Sequence, residues 1–240
     1  MKPFFIGWMG LPKGLRLFIA GAVAILVLSQ AAIAALLYLG QPPRATGVWG
    51  DGEQSFEGTL LTLPYPMVRL APADGKPART ILLVDEWKFG LPLGSDFKDG
   101  DKVGVRGYSI ERNGVTVLQV SAPLDRLAAG AAMPGIDRGE QTLTGEIVDS
   151  KCWTGAMNPG DGKAHKGCGS LCLLGGIPAL FIPANGSGWY VLADGEGQSL
   201  GEDIRARIGE RLTLKGRLFG EGDLRILRVD ADSLLNSPTG

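Results

Sequence analysis

Residues Gly100–Val120, GDKVGVRGYSIERNGVTVLQV, decide the fold, because the same pattern returns without a gap at Gly209–Val229 as GERLTLKGRLFGEGDLRILRV. Four of the 21 positions are identical and about eight more are conservative exchanges. Each copy is a period-two alternation with a glycine near its end, then a turn, then a second alternating run, which is the signature of two antiparallel strands. Val103 and Val105 correspond to Leu212 and Leu214, so the same face of the strand is apolar in both copies.

Outward from this pair the similarity continues. SFEGTLLTL around Gly58 matches QTLTGEIVD around Gly145, and ILLVD at Ile81–Asp85 matches WYVLAD at Trp189–Asp194. The repeat therefore spans whole domains. Strands of this number and order, closing on a glycine-marked hairpin, resemble the oligonucleotide/oligosaccharide-binding (OB) fold, a small five-stranded Greek-key barrel. The expected architecture is all-β: two tandem OB-like barrels behind one N-terminal transmembrane helix. The first barrel is placed at 53–126 and the second at 141–232. Residues 40–52 and 127–140 are linkers, and 233–240 is a tail. In the second half, SLGEDIRARIGE from Ser199 predicts a short helix, with capping-box spacing between Ser199 and Glu202 and with Leu200, Ile204 and Ile208 on one face. The first half has only GLPLGSDFKDG there.

Composition agrees with this architecture. Thirty-seven glycines and 15 prolines in 240 residues make the chain turn-rich, and a hydrophobic content of 45% excludes disorder. Leu17–Leu39 reads as 23 uncharged residues, about 35 Å of helix, enough to cross a bilayer. Residues 1–16 hold Lys2, Lys13 and Arg16 and no acid, with Phe4, Phe5 and Trp8 suited to a membrane interface. The positive-inside bias puts the N-terminus in the cytoplasm and residues 41–240 on the periplasmic side of a bacterial inner membrane. The alternative is a cleaved signal peptide, for which Ala31, Ala32, Ala34 and Ala35 offer small residues, although the apolar run exceeds the usual length. Ser29 and Gln30 at mid-span could hydrogen-bond to a neighbouring transmembrane helix, although two adjacent uncharged polar residues are more often simply tolerated. Beyond Gly40 there are 21 basic residues and 25 acids. That balance, with the exported location, argues against the basic groove that nucleic acid would need.

All three cysteines and the single histidine fall within 21 residues, as Cys152-x12-His165-x2-Cys168-x3-Cys172. The second half is about 22 residues longer than the first after its first strand, so this cluster is an insertion between strands one and two. A helix from about Lys163 to Leu174, with Asp161 as its cap and Gly175-Gly176 as its stop, would set His165, Cys168 and Cys172 on one stripe. Cys152, ending the first strand, would approach that stripe. Three readings stand. One is a disulfide from Cys152 to Cys168 or Cys172, the default for exported cysteines. Another is a metal site of Cys152, His165, Cys168 and Cys172, holding one ion of zinc, copper or iron. The third is a redox-active or haem-contacting thiol, although neither Cys-x-x-Cys nor Cys-x-x-Cys-His occurs. Elsewhere, Asp85-Glu86 with Trp87 and Phe89 could line a groove of the first barrel, yet aromatics in small barrels more often fill the core.

The segment TGEIVDSKCWTGAMNPGDGKAHKGCGSLCLLGGIPALF is similar to a widespread group of exported bacterial proteins without a settled activity. The shared pattern falls on Cys152, Lys163, His165, Cys168, Cys172, Gly176 and Pro178, with Gly169 where alanine is more usual. The resemblance covers the second half and implies a site without naming its chemistry. The expected function is an accessory or assembly subunit of a membrane redox or respiratory complex, presenting two barrels to an integral membrane partner. Its alternative is a metal-binding or thiol-redox protein that uses the four Cys and His residues. No catalytic constellation is assigned, and an enzyme is the less favoured class.

Overall fold

The computed structural model describes residues 12–40, 47–73, 75–133, 135–200, 202–220 and 222–236. Helix α1, Lys13–Gly40, is 28 residues long with none of them buried, and it is long and apolar enough to span a membrane. Its cause is plain in the sequence: no charge follows Arg16, and the residues are apolar on every face. The Ser29 hydroxyl donates to Leu26 O within the helix, 2.9 Å, so it is satisfied without a neighbour. Phe4, Phe5 and Trp8 lie outside the described residues.

From residue 47 onward strands are the main regular structure. The first half contains β1 (Val48–Trp49), β2 (Gln54–Leu61), β3 (Met67–Leu70), β4 (Arg79–Val84), β5 (Lys102–Arg112), β6 (Val115–Val120) and β7 (Asp125–Ala128). β2 pairs with β3, β3 with β4, β4 with β6, β6 with β5 and β5 again with β2, which closes a five-stranded barrel. Only β4 and β6 run parallel. β1 and β7 are short additions along β5. The second half contains β8 (Asp137–Asp149), β9 (Ala179–Pro183), β10 (Tyr190–Ala193), β11 (Arg211–Phe219) and β12 (Ile226–Val229). They close in the same order, with β10 and β12 the parallel pair. Both halves are OB-like barrels, as the internal repeat predicts.

The repeat holds down to the register. Gly58 faces Val103 in the first barrel and Gly145 faces Leu212 in the second. Gly107 faces Val120, and Gly216 faces Val229. These paired glycines recur because strands cross closely there. A Cβ on Gly145 would stand 2.2 Å from Ile182 O, and one on Gly107 2.1 Å from Gln119 O. Tightly coiled strands in a small barrel leave no room for a side chain at those crossings.

Three boundaries differ from the sequence reading. The linker at 127–140 is shorter, because β7 reaches Ala128 and β8 starts at Asp137, where it still pairs with Phe219 of β11. The helix after Ser199 is a 3-10 helix, Glu202–Arg207, which buries Ile204 and ends before Gly209, whose φ of +72° stops it. The tail is partly helical: α3, Ala231–Asn236, packs Leu234 into the core, while 237–240 lie outside the described residues.

The barrels share a core. Leu60, Val68, Ile81, Leu83, Val103, Val105 and Leu118 fill the first barrel. The opposite face of the same strands, Leu61, Met67, Leu82, Val84, Val115 and Val117, joins one cluster with the interior of the second. β4 is apolar on both faces, the pattern of a strand covered on both sides. Polar clamps flank this contact. Asp223 accepts from the Thr80 backbone N–H, 2.6 Å, and pairs with Arg69, while Arg112 stacks over Trp153, 4.6 Å to the ring centre, and donates to Trp153 O, 2.7 Å.

Candidate functional site

The insertion between β8 and β9 is built as the spacing predicts. After β8 comes one wide helical turn, Cys152–Ala156, which breaks at Gly155 with φ +141°. Helix α2 then runs Gly162–Leu174 and stops at Gly175-Gly176. Asp161 occupies the cap position without capping. Its carboxylate turns to Arg112, 3.4 Å, and Glu146 Oε1 accepts the Gly162 N–H instead, 2.5 Å.

α2 carries Cys168 and Cys172 over the end of β8, where Cys152 begins its turn. The three Sγ atoms lie within 4.8 Å of one another, and Cys152 Sγ to Cys172 Sγ is 3.8 Å. Cys152 and Cys172 are buried and Cys168 is half-buried. All three are free thiols, so the expected disulfide is not present. The three sulfurs converge on one point, with Cys152 Sγ and Cys172 Sγ well beyond disulfide bonding distance.

His165 is one turn earlier on α2 and belongs to a second, overlapping group with Asp149 and Cys152. Its Nε2 meets Asp149 Oδ2 at 2.6 Å, with both residues at most 2% exposed. The other Asp149 oxygen accepts the Cys152 backbone N–H, 2.8 Å. His165 Nδ1 is buried with no hydrogen-bond partner among the described residues. The four residues singled out in the sequence therefore meet at Cys152, which belongs both to the sulfur trio and to the group with His165 and Asp149.

The first barrel adds what the sequence did not disclose. Lys88, in the loop after β4, reaches across with Nζ 2.7 Å from Cys168 Sγ and 3.7 Å from Cys172 Sγ. Lys151, only 4% exposed, donates to Asp85 O, 2.8 Å, and Trp87 O, 2.9 Å. That clamp accompanies a left-handed Trp87, φ +54°, a costly conformation for an aromatic residue. On the far side Gly90 N–H donates to Gly175 O, 2.8 Å, and a Cβ on Gly175 would stand 1.9 Å from Lys88 O. Gly175 thus lets the two backbones touch besides ending α2. Trp87 and Phe89 are exposed on this loop, not core.

The charges fit thiolate chemistry. The bond to Cys168 holds the Lys88 ammonium above its usual pKa, and burial pulls Lys151 down. Cys152 and Cys172 shift in opposite directions. Cys152 is pushed up by its bond to Cys172, by burial and by the Asp149 charge, whereas Cys172 is lowered because it accepts that bond and sees Lys88. His165 is raised by its bond to Asp149. Three converging sulfurs next to an ammonium can, once deprotonated, bind a soft metal ion, and a thiolate among them can react with an electrophile.

Asp149 had a legible signal, since an aspartate three residues before a cysteine is a local cap for that backbone N–H, whereas Lys151 had none, its contacts spanning 66 and 64 residues. Lys88 had none, because the contact spans 80 residues. Among protein-family models, curated proteins and solved structures, no match to this chain is found.

Proposed function

We propose that this is a membrane-tethered metal-binding protein whose centre is the trio Cys152, Cys168 and Cys172, lodged where the two barrels meet. The observation that carries the reading is the Cys152–Cys172 separation of 3.8 Å. Tetrahedral thiolate shells with metal–sulfur bonds of about 2.3 Å have edges of about 3.8 Å, whereas a disulfide needs about 2.05 Å. Zinc(II) and copper(I) suit such a set. Iron–sulfur clusters usually take four cysteines, one more than the chain has. Three protein ligands leave a coordination position open, as a site that accepts and releases an ion requires. Asp149, bonded to the Cys152 N–H and to His165, acts as the supporting layer that fixes the ligand backbone. Lys88 offsets the thiolate charge.

The basic residues before Leu17 support an N-terminus in the cytoplasm of a bacterial inner membrane, with residues 41–240 on the periplasmic side. Placed there, the centre would serve a membrane redox or respiratory complex as an accessory subunit that holds or hands over its metal. Co-purification from native membranes in mild detergent checks this extension, and a solitary monomer at native expression counts against it.

The metal reading is tested on the full chain in mild detergent, reduced and exchanged into zinc(II) or copper(I). About one ion per chain is expected by elemental analysis. Any one of Cys152→Ser, Cys168→Ser or Cys172→Ser is expected to lose most of it. His165→Ala keeps the stoichiometry and weakens affinity by roughly 10–100-fold, as loss of a supporting residue does. Wild-type protein that takes up neither ion overturns the reading.

A further inference from the structure

Lys88 Nζ and Cys168 Sγ are 2.7 Å apart. Even oxygen acceptors usually hold an N–H donor at about 2.9–3.0 Å, and sulfur is a larger atom, so this hydrogen-bonded pair stands closer than an ordinary N–H···S contact. We propose that Lys88 and Cys168 form a covalent N–O–S bridge in the presence of dioxygen, a reversible oxidative cross-link between the first barrel and the second. One oxygen inserted between an amine nitrogen and a thiol sulfur spans about 2.7 Å, given N–O and S–O single bonds and a bent angle, and it belongs with the reversible first oxidation level of cysteine.

Selectivity follows from the surroundings. Cys168 is half-buried, so dioxygen reaches its sulfur, whereas Cys152 and Cys172 are buried. Cys172 Sγ stands 1 Å farther from the same nitrogen, at 3.7 Å. Lys151, the other lysine of the site, is committed to the carbonyls of Asp85 and Trp87. Neither partner needs to travel. Lys88 sits in a loop clamped by Lys151 and by the Gly90–Gly175 bond, and Cys168 sits within α2.

The step balances with dioxygen as the oxidant. The ammonium of Lys88 and the thiolate of Cys168 react with one O2. An N–O and an S–O bond form, the O–O bond and two N–H bonds break, and the second oxygen leaves as water with those two hydrogens. The nitrogen keeps one hydrogen. Dioxygen is reduced by four electrons, drawn from the sulfur and the nitrogen together. Four electrons from two equivalents of dithiothreitol restore the lysine, the thiol and one water. This bridge does not depend on the metal reading, but it removes Cys168 from the trio, so bridging and metal loading exclude each other.

The experiment uses the metal-free full chain in mild detergent, split into an anaerobic dithiothreitol-treated sample and an aerated one, with intact mass spectrometry and peptide mapping. The aerated chain is expected to be about 14 Da heavier, the net gain of one oxygen and loss of two hydrogens. The Lys88 and Cys168 peptides should be joined, and dithiothreitol should return the original mass. Lys88→Arg and Cys168→Ser are expected to abolish the gain, and Cys172→Ser to retain it. The proposal is overturned by an aerated wild-type chain with unchanged mass and three alkylatable thiols. A gain of about 16 or 32 Da confined to cysteine, or a 14 Da gain that survives in Lys88→Arg, overturns it equally. Should Lys88→Arg fail to fold, the wild-type peptide map alone decides. Zinc and copper uptake is measured on the reduced sample, so a chain that bridges without binding metal and one that binds metal without bridging are told apart.

Discussion

Asp149 shows how one side chain organises the site. One carboxylate oxygen takes the Cys152 N–H and the other takes His165, so the strand end and α2 are tied through a single buried charge. Removing either partner of such a pair leaves the other unpaired in the interior, at a cost of roughly 3–5 kcal/mol. Asp149→Asn in metal-free protein is therefore expected to lower unfolding stability by about that much, measured by urea denaturation. The pH dependence has a definite sign. Because Asp149 raises the His165 pKa in the folded state, the pair's contribution is fully present below the ordinary histidine value of about 6.5 and is lost as pH rises through the raised one. The stability gap between wild type and His165→Gln should accordingly shrink from about pH 6.5 upward. A gap that stays constant from pH 5.5 to 9 would exclude this linkage.

The loop at 85–90 and helix α2 depend on each other at the scale of elements. α2 was legible in advance, from a turn-rich start, a double-glycine stop and a cysteine spacing that shares a face. The loop was not legible, because Lys88 acts through a contact that no local pattern encodes. Two glycines make the approach possible: a Cβ on Gly90 would lie 2.1 Å from Gly176 O, and one on Gly175 1.9 Å from Lys88 O. Gly175→Val must push the backbones apart and is expected to cost about 1–3 kcal/mol, as overpacking does. It should also separate Lys88 from Cys168. Faster alkylation of Cys168 together with a lower Tm would show both effects, and an unchanged alkylation rate would mean that the loop contact does not shield the thiol. Lys151→Met removes the clamp on Asp85 O and Trp87 O from the other side and should change the emission of Trp87, which lies 81% exposed on this loop.

At the scale of the whole unit from residue 47, the two barrels present one contiguous core rather than two beads on a string. Leu82 and Val117 are fully buried on the outer face of the first barrel, within the cluster that fills the second. Neither barrel can lose its partner without exposing that face, so a single cooperative unfolding transition is expected by calorimetry. Leu82→Ala should lower stability by about 2–5 kcal/mol and shift the whole transition. Two separated transitions, with only the first moved, would show that the barrels fold independently.

Local patterning along the chain sets the elements. Period-two alternation repeated in register, recurrent glycines near the strand ends, an uncharged run of 23 residues and a helix with three chemical groups on one stripe are all local or periodic. Backbone sterics and side-chain periodicity act over a few residues, and a duplicated domain announces itself by comparison with its own other half. What the cysteines face follows from the packed fold alone. It turned His165 to Asp149, left the three thiols unbonded around one point, and brought Lys88 from the other barrel onto Cys168. It also made the outer face of β4 into core. These outcomes depend on how two closed barrels dock, through shape and burial between residues some 80 positions apart, and no pattern along the chain carries that information.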